Sequence, residues 1–235
     1  MNDFLKQEGS FAKDVSSDFF KSVYSYMFGA LSLSGIVAYT CGTPEFFMEY
    51  FVSAGGISPI FYIVAFAPVG LALLIQWGYE RLSMNSLLLL FIAYSALMGL
   101  SISSIFLVYS ISAISSTFFV SAGAFAAMAI LGYTTKTDLT QFGSLLYMVF
   151  IGIFIASIVN LFIGWETMDF IISILGVFVF TGLTAYHMQQ LKAVSHDTNM
   201  SPEQRSKLSL IGGLQLYILF VNLFLSLLRL LGGRD

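Results

Sequence analysis

The stretches that lack Asp, Glu, Lys and Arg constrain this chain more than any other feature of its sequence. Charged side chains are costly in the hydrocarbon of a bilayer, so charge-free windows mark where a chain can cross it. Six windows cover residues 22–44, 50–79, 82–135, 139–165, 170–191 and 208–228. A spanning helix needs about 20 apolar residues. Five windows therefore hold one span each, and the window 82–135 holds two, with a break near Tyr109–Ala113.

These windows predict an all-α membrane protein with seven transmembrane helices. The predicted spans are 22–41, 57–77, 86–108, 113–132, 142–163, 168–190 and 208–231. Only 10% of the residues are charged and 57% are hydrophobic, which leaves too little polar surface for a soluble globule. The spans make residues 21–232 a transmembrane domain, preceded by a short segment at residues 1–20.

The positions of Lys and Arg predict the orientation of the spans, because cytoplasmic connections are enriched in these residues. The cations on one predicted side are Lys6, Lys13, Lys21, Arg81, Lys136, Lys192, Arg205 and Lys207. Arg229 and Arg234, after the last span, are the two exceptions. We therefore expect a cytoplasmic N-terminus, with the side of the C-terminus left open.

Composition and motifs also exclude several classes of function. Ten Lys and Arg against 13 Asp and Glu argue against a nucleic-acid partner, and a single Cys argues against a disulfide or a multi-cysteine metal site. Neither a metalloprotease motif nor a phosphate-binding glycine loop is present in the sequence. We expect no catalysis, no metal site and no cofactor, with the lipid bilayer as the main partner.

Polar residues inside the spans are the candidate functional residues, because they are expensive there. His187 lies near the cytoplasmic end of the sixth span. It is either a gate or proton-sensing residue, or an interfacial histidine whose hydrogen bond goes to a loop carbonyl. Gln215, Leu219 and Asn222 share one face of the last span by their spacing. That face either lines a narrow aqueous path or packs against a neighbouring helix.

Several segments of the sequence are distinctive: Met98–Tyr109, Ser116–Val120, Gly132–Leu139, Ile155–Asn160, Leu216–Phe224 and Leu227–Gly232. Together they resemble the Bax inhibitor-1 family, specifically its bacterial members. The resemblance extends from about Phe19 to Gly232. It implies a bundle in which the seventh helix is central, a location in the bacterial inner membrane, and no catalysis.

The resemblance also implies two alternative functions. One is a pH-sensitive leak for calcium or another cation, with a stress-protective role. The other is a non-conducting interaction protein that modulates a membrane-anchored AAA protease. The segment at residues 1–20 is the candidate docking site for such a partner.

The sequence departs from the family at the two aspartates on which the leak is thought to depend. His187 stands at the first of these positions, in Thr184–Gln189, and Leu219 stands at the second, in Leu216–Asn222. Two close carboxylates in a low-dielectric site share a proton and supply oxygen ligands for calcium. A histidine becomes a cation on acidification and would then repel calcium. We therefore expect that pH gating is altered or lost.

Two further residues are candidates because of these departures. Arg81 matches a basic position that in the family is thought to pair with the helix-six aspartate. Without that aspartate, Arg81 either takes part in an altered pairing or only sets the orientation of the spans in the membrane. Gln215 lies one turn before Leu219, and its spacing suggests a hydrogen bond to His187 as a neutral replacement for the aspartate pair.

Overall fold

Helices make up almost all of the described chain. A computed structural model describes residues 2–53, 56–197 and 199–233, with side chains described from Val15 onward. The elements in chain order are α1 (Asn2–Cys41), α2 (Pro44–Phe51), β1 (Val52–Ser53), β2 (Gly56–Ile57), α3 (Pro59–Gly78), α4 (Met84–Ile102), α5 (Ile105–Val108), α6 (Ile111–Thr134), α7 (Thr140–Ile163), α8 (Glu166–Ser195) and α9 (Pro202–Leu231). The two short strands pair antiparallel, with Val52 opposite Ile57.

Six helical segments are long and apolar enough to cross a membrane. They are α3, α4 together with α5, α6, α7, α8 and α9. Large apolar side chains on these segments are exposed, among them Leu89, Phe119 and Met148. Exposure of so many large apolar groups suits a bilayer and not water. The prediction of an all-α membrane protein is therefore confirmed.

The count of seven spans is not confirmed, because α1 is not among the six candidate segments. The first predicted span, 22–41, lies within α1, which is one continuous helix from Asn2 to Cys41. Hydroxyl-bearing residues lower the hydropathy of this part of the helix. They are Ser22, Tyr24, Ser25, Tyr26, Ser32, Ser34, Tyr39 and Thr40. The division of the chain near residue 20 stays a prediction.

Local capping explains where several spans begin and end. Ser58, Ser83 and Ser110 precede α3, α4 and α6, and each Oγ accepts a hydrogen bond from a backbone N–H in the first turn. These bonds satisfy amides that the helix leaves without a partner. At the end of α7, Gly164 adopts a left-handed φ of 71°, and its N–H donates to the carbonyl of Asn160.

The chain comprises two compact units. The first consists of the described residues of Met1–Val108 and Asp197–Tyr217, and the second of those of Tyr109–His196 and Ile218–Asp235. The long helix α9 therefore contributes its first half to one unit and its second half to the other. It is also the most buried of the six candidate spans. Of its most apolar 18 residues, 72% are buried, against 50% for α8.

In the first unit, α4 packs against both α1 and α3. The face of α1 that is buried recurs every three or four residues, as expected for one side of a helix. Its members are Phe19, Val23, Met27, Ala30, Ser34 and Ala38. A Cβ on Gly99 of α4 would lie 2.6 Å from the carbonyl oxygen of Ser34, so glycine allows these two helices to approach closely.

In the second unit, α8 packs against both α6 and α7. The closest approach is at Gly132 of α6, where a Cβ would collide with the backbone of Ala185 in α8. Aromatic rings join α6 to the second half of α9, with edge-to-face contacts from Phe118 and Phe125 to Phe220. Such contacts bury large apolar surface at well-defined geometry.

Candidate functional site

His187 is buried in the second unit and pairs with a tyrosine. Only 4% of its surface is exposed, and its Nε2 lies 2.5 Å from the hydroxyl of Tyr147 on α7. The rings of Tyr147 and Tyr186 both stand edge-to-face with the imidazole. Because a neutral imidazole nitrogen either accepts or donates, the tautomer decides which group donates this hydrogen bond.

Two glycines bring Tyr147 and His187 within hydrogen-bonding distance. A Cβ on Gly143, one turn before Tyr147, would lie 2.5 Å from the ring of Tyr186. A Cβ on Gly182 of α8 would lie 2.5 Å from a methyl group of Leu146. Because neither residue has a side chain, α7 and α8 approach closely at this level.

Beyond His187, the last turns of α8 hold the connection between α6 and α7. The side-chain amide of Gln189 accepts a hydrogen bond from the N–H of Leu139 and donates one to the carbonyl of Thr137, both at 2.8 Å. The ammonium of Lys192 donates to the carbonyl of Tyr133 at 2.7 Å and lies over its ring. The helix thus ends in a polar layer that fixes this connection.

The other candidate residues are placed as follows. Leu219 and Asn222 belong to the second unit with His187, whereas Arg81 and Gln215 belong to the first. Leu219 is buried, and Asn222 is half-buried and donates from Nδ2 to the carbonyl of Ile218 in its own helix at 2.8 Å. Arg81 is exposed in the turn after α3, and Gln215 is half-buried.

The hydrogen-bond partner of His187 is a residue that the sequence reasoning missed. Tyr147 lies four residues after Gly143 on α7, but no spacing within α7 indicates which residue of α8 it meets. The bond from Gln215 to His187 stays a prediction. Arg234, one of the two exceptional cations, lies outside the described residues.

A second polar cluster, also missed, closes the turn between α7 and α8. The amide of Asn160 donates to Asp169 Oδ1 at 2.9 Å and to the carbonyl of Trp165 at 3.2 Å. Its oxygen accepts from the N–H of Trp165 at 3.0 Å. Asn160 is 5% exposed, and these bonds satisfy both ends of its amide, which would otherwise be costly to bury. The cluster therefore stabilises this turn.

A third buried cluster joins three helices of the first unit. The hydroxyl of Ser34 lies 2.6 Å from that of Tyr217, and Ser34 Oγ is 2.7 Å from the carbonyl of Ser95. Tyr217 is fully buried, and its ring stands edge-to-face with Tyr94. This cluster ties α1 and α4 to the first half of α9 through hydroxyl groups.

Among the described titratable groups of the connections, Asp138 and Tyr79 have shifted pKa values. The hydroxyl and the backbone N–H of Thr140 both donate to Asp138 and hold the pKa of that carboxyl below its usual value. The hydrogen bond from Tyr79 to Glu80 raises the pKa of the Tyr79 phenol. Within the described residues, no three His, Cys, Asp or Glu side chains come together as a metal site.

These features define a multi-pass, almost entirely helical membrane protein with histidine, hydroxyl and amide groups buried in its helices. The profile of the family described as "Inhibitor of apoptosis-promoting Bax1" matches residues 16–235. The chain belongs to this family, the Bax inhibitor-1 family, so the resemblance noted in the sequence is confirmed.

Individual relatives cover nearly the whole chain. The chain is 41% identical over 215 residues to the inner membrane protein YbhL of Escherichia coli strain K12, covering 90% of each protein. It is 38% identical over 220 residues to a protein of Borreliella burgdorferi, covering 94% of each. It is 36% identical to protein RP147 of Rickettsia prowazekii, covering 100% of this chain and 99% of the relative.

Proposed function

We propose that this protein is a cation-leak type of membrane protein with a stress-protective role, in which the calcium and pH switch is altered or lost. The observation that carries the proposal is the hydrogen bond between His187 and Tyr147. His187 stands at the position where the family resemblance implies a carboxylate. Leu219, at the second such position, is an apolar and buried side chain. The name of the Escherichia coli relative supports a location in the inner membrane.

The chemistry of this pair differs from that of two aspartates. Paired carboxylates offer hard oxygen ligands that calcium prefers, whereas an imidazole and a phenol are poor ligands for it. Protonation of His187 would add a positive charge, whereas protonation of an aspartate removes a negative one. At low pH, a protonated His187 would therefore oppose the passage of cations through charge repulsion. Acidification would not remove a calcium-binding pair of carboxylates, because the protein has no such pair here.

Calcium flux into proteoliposomes tests this proposal directly. The unmodified protein is expected to show only weak calcium flux at both about pH 6 and about pH 8, because it lacks the carboxylate pair that binds calcium and titrates. Acidification should lower this flux and not raise it, since a protonated His187 repels cations. The double variant H187D/L219D should restore both calcium flux and its dependence on pH. The matched control H187N/L219N has the same shape without the charges and should restore neither.

Two outcomes would contradict the proposal. Strong calcium flux with a pH gate from the unmodified protein would mean that the aspartates are dispensable. The double aspartate variant could also fold and yet show no calcium flux, with folding judged by a single symmetric peak in size-exclusion chromatography. That result would mean that the missing pair does not control conduction.

We propose α1 as a seventh span, with a cytoplasmic N-terminus and with α9 as the central helix of the bundle. One face of α1 is buried, while Phe28, Ile36 and Tyr39 on the remaining surface are about 60% exposed. Apolar groups on both sides suit a helix between protein and lipid. The large buried fraction of α9 supports its central position.

Labelling of single cysteines from outside the cell tests this topology. In a Cys41→Ser background, a membrane-impermeant maleimide should label Glu45→Cys in intact cells. Ser10→Cys should react only after lysis. Labelling of both positions from outside would contradict the proposed orientation of α1.

The alternative is a non-conducting protein that modulates a membrane-anchored protease. The observation that favours it is the continuity of α1 from Asn2, which makes the first 20 residues a helical extension of about 30 Å. Co-purification from native membranes, with and without residues 2–18, tests it. An unchanged set of partners after truncation would contradict this role for the extension.

A further inference from the structure

The antiparallel helices α7 and α8 leave a groove between them in the second unit. They are in close contact where Gly143 meets Tyr186 and where Leu146 meets Gly182. Toward their connecting turn, a cavity of about 870 Å³ lies between them. That volume falls within the range of about 300–1,000 Å³ usual for small-molecule sites.

Two facing apolar stripes line this groove. Its residues recur at intervals of three and four between Val149 and Ala156 on α7, and between Met168 and Leu175 on α8. Gly152 creates much of the space, because a Cβ at this position would have nothing within 4 Å. The walls therefore suit a flexible hydrocarbon chain and not a polar solute.

The mouth of the groove lies at the turn, beside Trp165 and Glu166. Trp165 is 64% exposed, and exposed tryptophans at the ends of spans mark the level of lipid head groups. From Glu166 to Leu175 the helix rises about 14 Å, which is close to the depth of one leaflet, about 15 Å of a 30 Å hydrocarbon core. The groove thus has the length of one acyl chain that enters from the head-group level.

The charges that α7 and α8 carry near the mouth favour one kind of head group. From Thr140 to Leu191 the sequence contains no Lys or Arg, and its acidic residues are Glu166 and Asp169. Asp169 lies within the Asn160 cluster, whereas Glu166 lines the mouth and is exposed. A carboxylate here attracts an ammonium group and repels an anionic head group.

We propose that the groove between α7 and α8 binds one acyl chain of an ammonium-bearing phospholipid, with the head group beside Glu166. Phosphatidylethanolamine has this chemistry. Phosphatidylglycerol and free fatty acids present a net negative charge to Glu166 and are therefore disfavoured. The groove extends over ten residues of α8, from Glu166 to Leu175, about half the length of a spanning helix, which suits one acyl chain better than a whole transmembrane helix.

Photo-crosslinking of the full-length protein in lipid nanodiscs tests the acyl-chain site. The probe is phosphatidylethanolamine with a diazirine in its acyl chain, and mass spectrometry locates the label. The unmodified protein should be labelled between residues 149 and 175, and G152F should lose this labelling. The matched control is G123F, because a Cβ at Gly123 of α6 also has nothing within 4 Å. It adds the same bulk outside the groove and should keep the label.

The head-group preference is tested separately with E166Q. Unlabelled phosphatidylethanolamine should compete with the probe about two- to five-fold better than phosphatidylglycerol, the size expected for one exposed charge. The E166Q variant should remain labelled but lose this preference. Because E166Q changes an exposed side chain, it also provides a test if G152F fails to fold.

Three outcomes would overturn the proposal. The first is labelling of G152F at the level of the unmodified protein. The second is equal competition by the two lipids for the unmodified protein. The third is labelling of the unmodified protein mainly outside residues 149–175. Each outcome is independent of calcium flux.

Discussion

The two units differ in their best-defined helix contacts. In the first, hydroxyl groups of Ser34 and Tyr217 join three helices, although α1 and α4 also approach closely at Gly99. In the second, α6 and α8 meet backbone against backbone at Gly132, where a Cβ would come nearer still. A hydrogen bond between spans contributes on average only about 0.6 kcal/mol, because the unfolded chain in a membrane also finds partners. A steric clash in the folded state is not offset in this way, because the unfolded chain does not contain the clash. We therefore expect the backbone contact at Gly132 to tolerate substitution far less well than the hydroxyl bond of Tyr217.

The largest effect is expected for Gly132→Ala. Its Cβ would collide with the carbonyl oxygen of Ala185, so the backbones must separate, at a cost of about 3 kcal/mol. Thermal unfolding in detergent measures this loss. Gly123→Ala, in the same helix with open space around it, should be neutral or slightly stabilising. Equal melting temperatures for the two variants would refute the steric contact.

A smaller effect is expected for Tyr217→Phe in the first unit. The change removes one hydroxyl, but the hydroxyl hydrogen of Ser34 keeps an acceptor in the carbonyl of Ser95 or of Ala30. The expected loss is about 0.6–1.7 kcal/mol in the same unfolding assay. Tyr62→Phe, at an exposed ring, is the control and should change nothing. A loss as large as that for Gly132→Ala would remove the contrast between the units.

A local effect is expected for Gln189→Ala at the end of α8. It frees the N–H of Leu139 and the carbonyl of Thr137, at a cost of about 1 kcal/mol in this partly solvated connection. Hydrogen exchange at residues 135–140 should accelerate, while the rest of α7 stays protected. Gln190→Ala is the matched control, because Gln190 bonds to Tyr186 of its own helix. Equal acceleration in both variants would contradict the role of Gln189.

The smallest effect concerns Asp138. Its lowered pKa means that its contribution to folding is present above the usual carboxyl pKa and is lost as the pH falls through the lowered value. Thr140→Val removes the donating hydroxyl and should raise the pKa of Asp138, as measured by NMR titration of its carboxyl carbon. Thr134→Val, whose hydroxyl bonds within α6, should leave that pKa unchanged. A rise in both variants would contradict the assignment to Thr140.

Charge placement predicted the spans from α3 to α9 well, because the bilayer excludes charges wherever they occur. It predicted helix ends less well. The helix α8 continues to Ser195 and α9 begins at Pro202, since a charged residue ends a span but does not end a helix. The serines and tyrosines of α1 weaken the same signal, and a pattern of charges alone gives no reason for α2 or the short strands.

The sequence singled out His187 but could not identify its partner. Which residue of α7 faces it depends on how closely two helices approach, and that depends on Gly143 and Gly182 together. Each glycine alone is unremarkable in a membrane helix. The hydrogen bond to Tyr147 follows from the register between two helices, which a spacing rule within one helix does not contain.

The division of α9 between the two units has a consequence for biosynthesis. Each unit includes part of α9, which follows every other described helix in the chain. Neither unit is therefore complete before α9 has been synthesised. A chain that stopped before α9 would leave both sets of helices in the membrane without a segment that each of them needs.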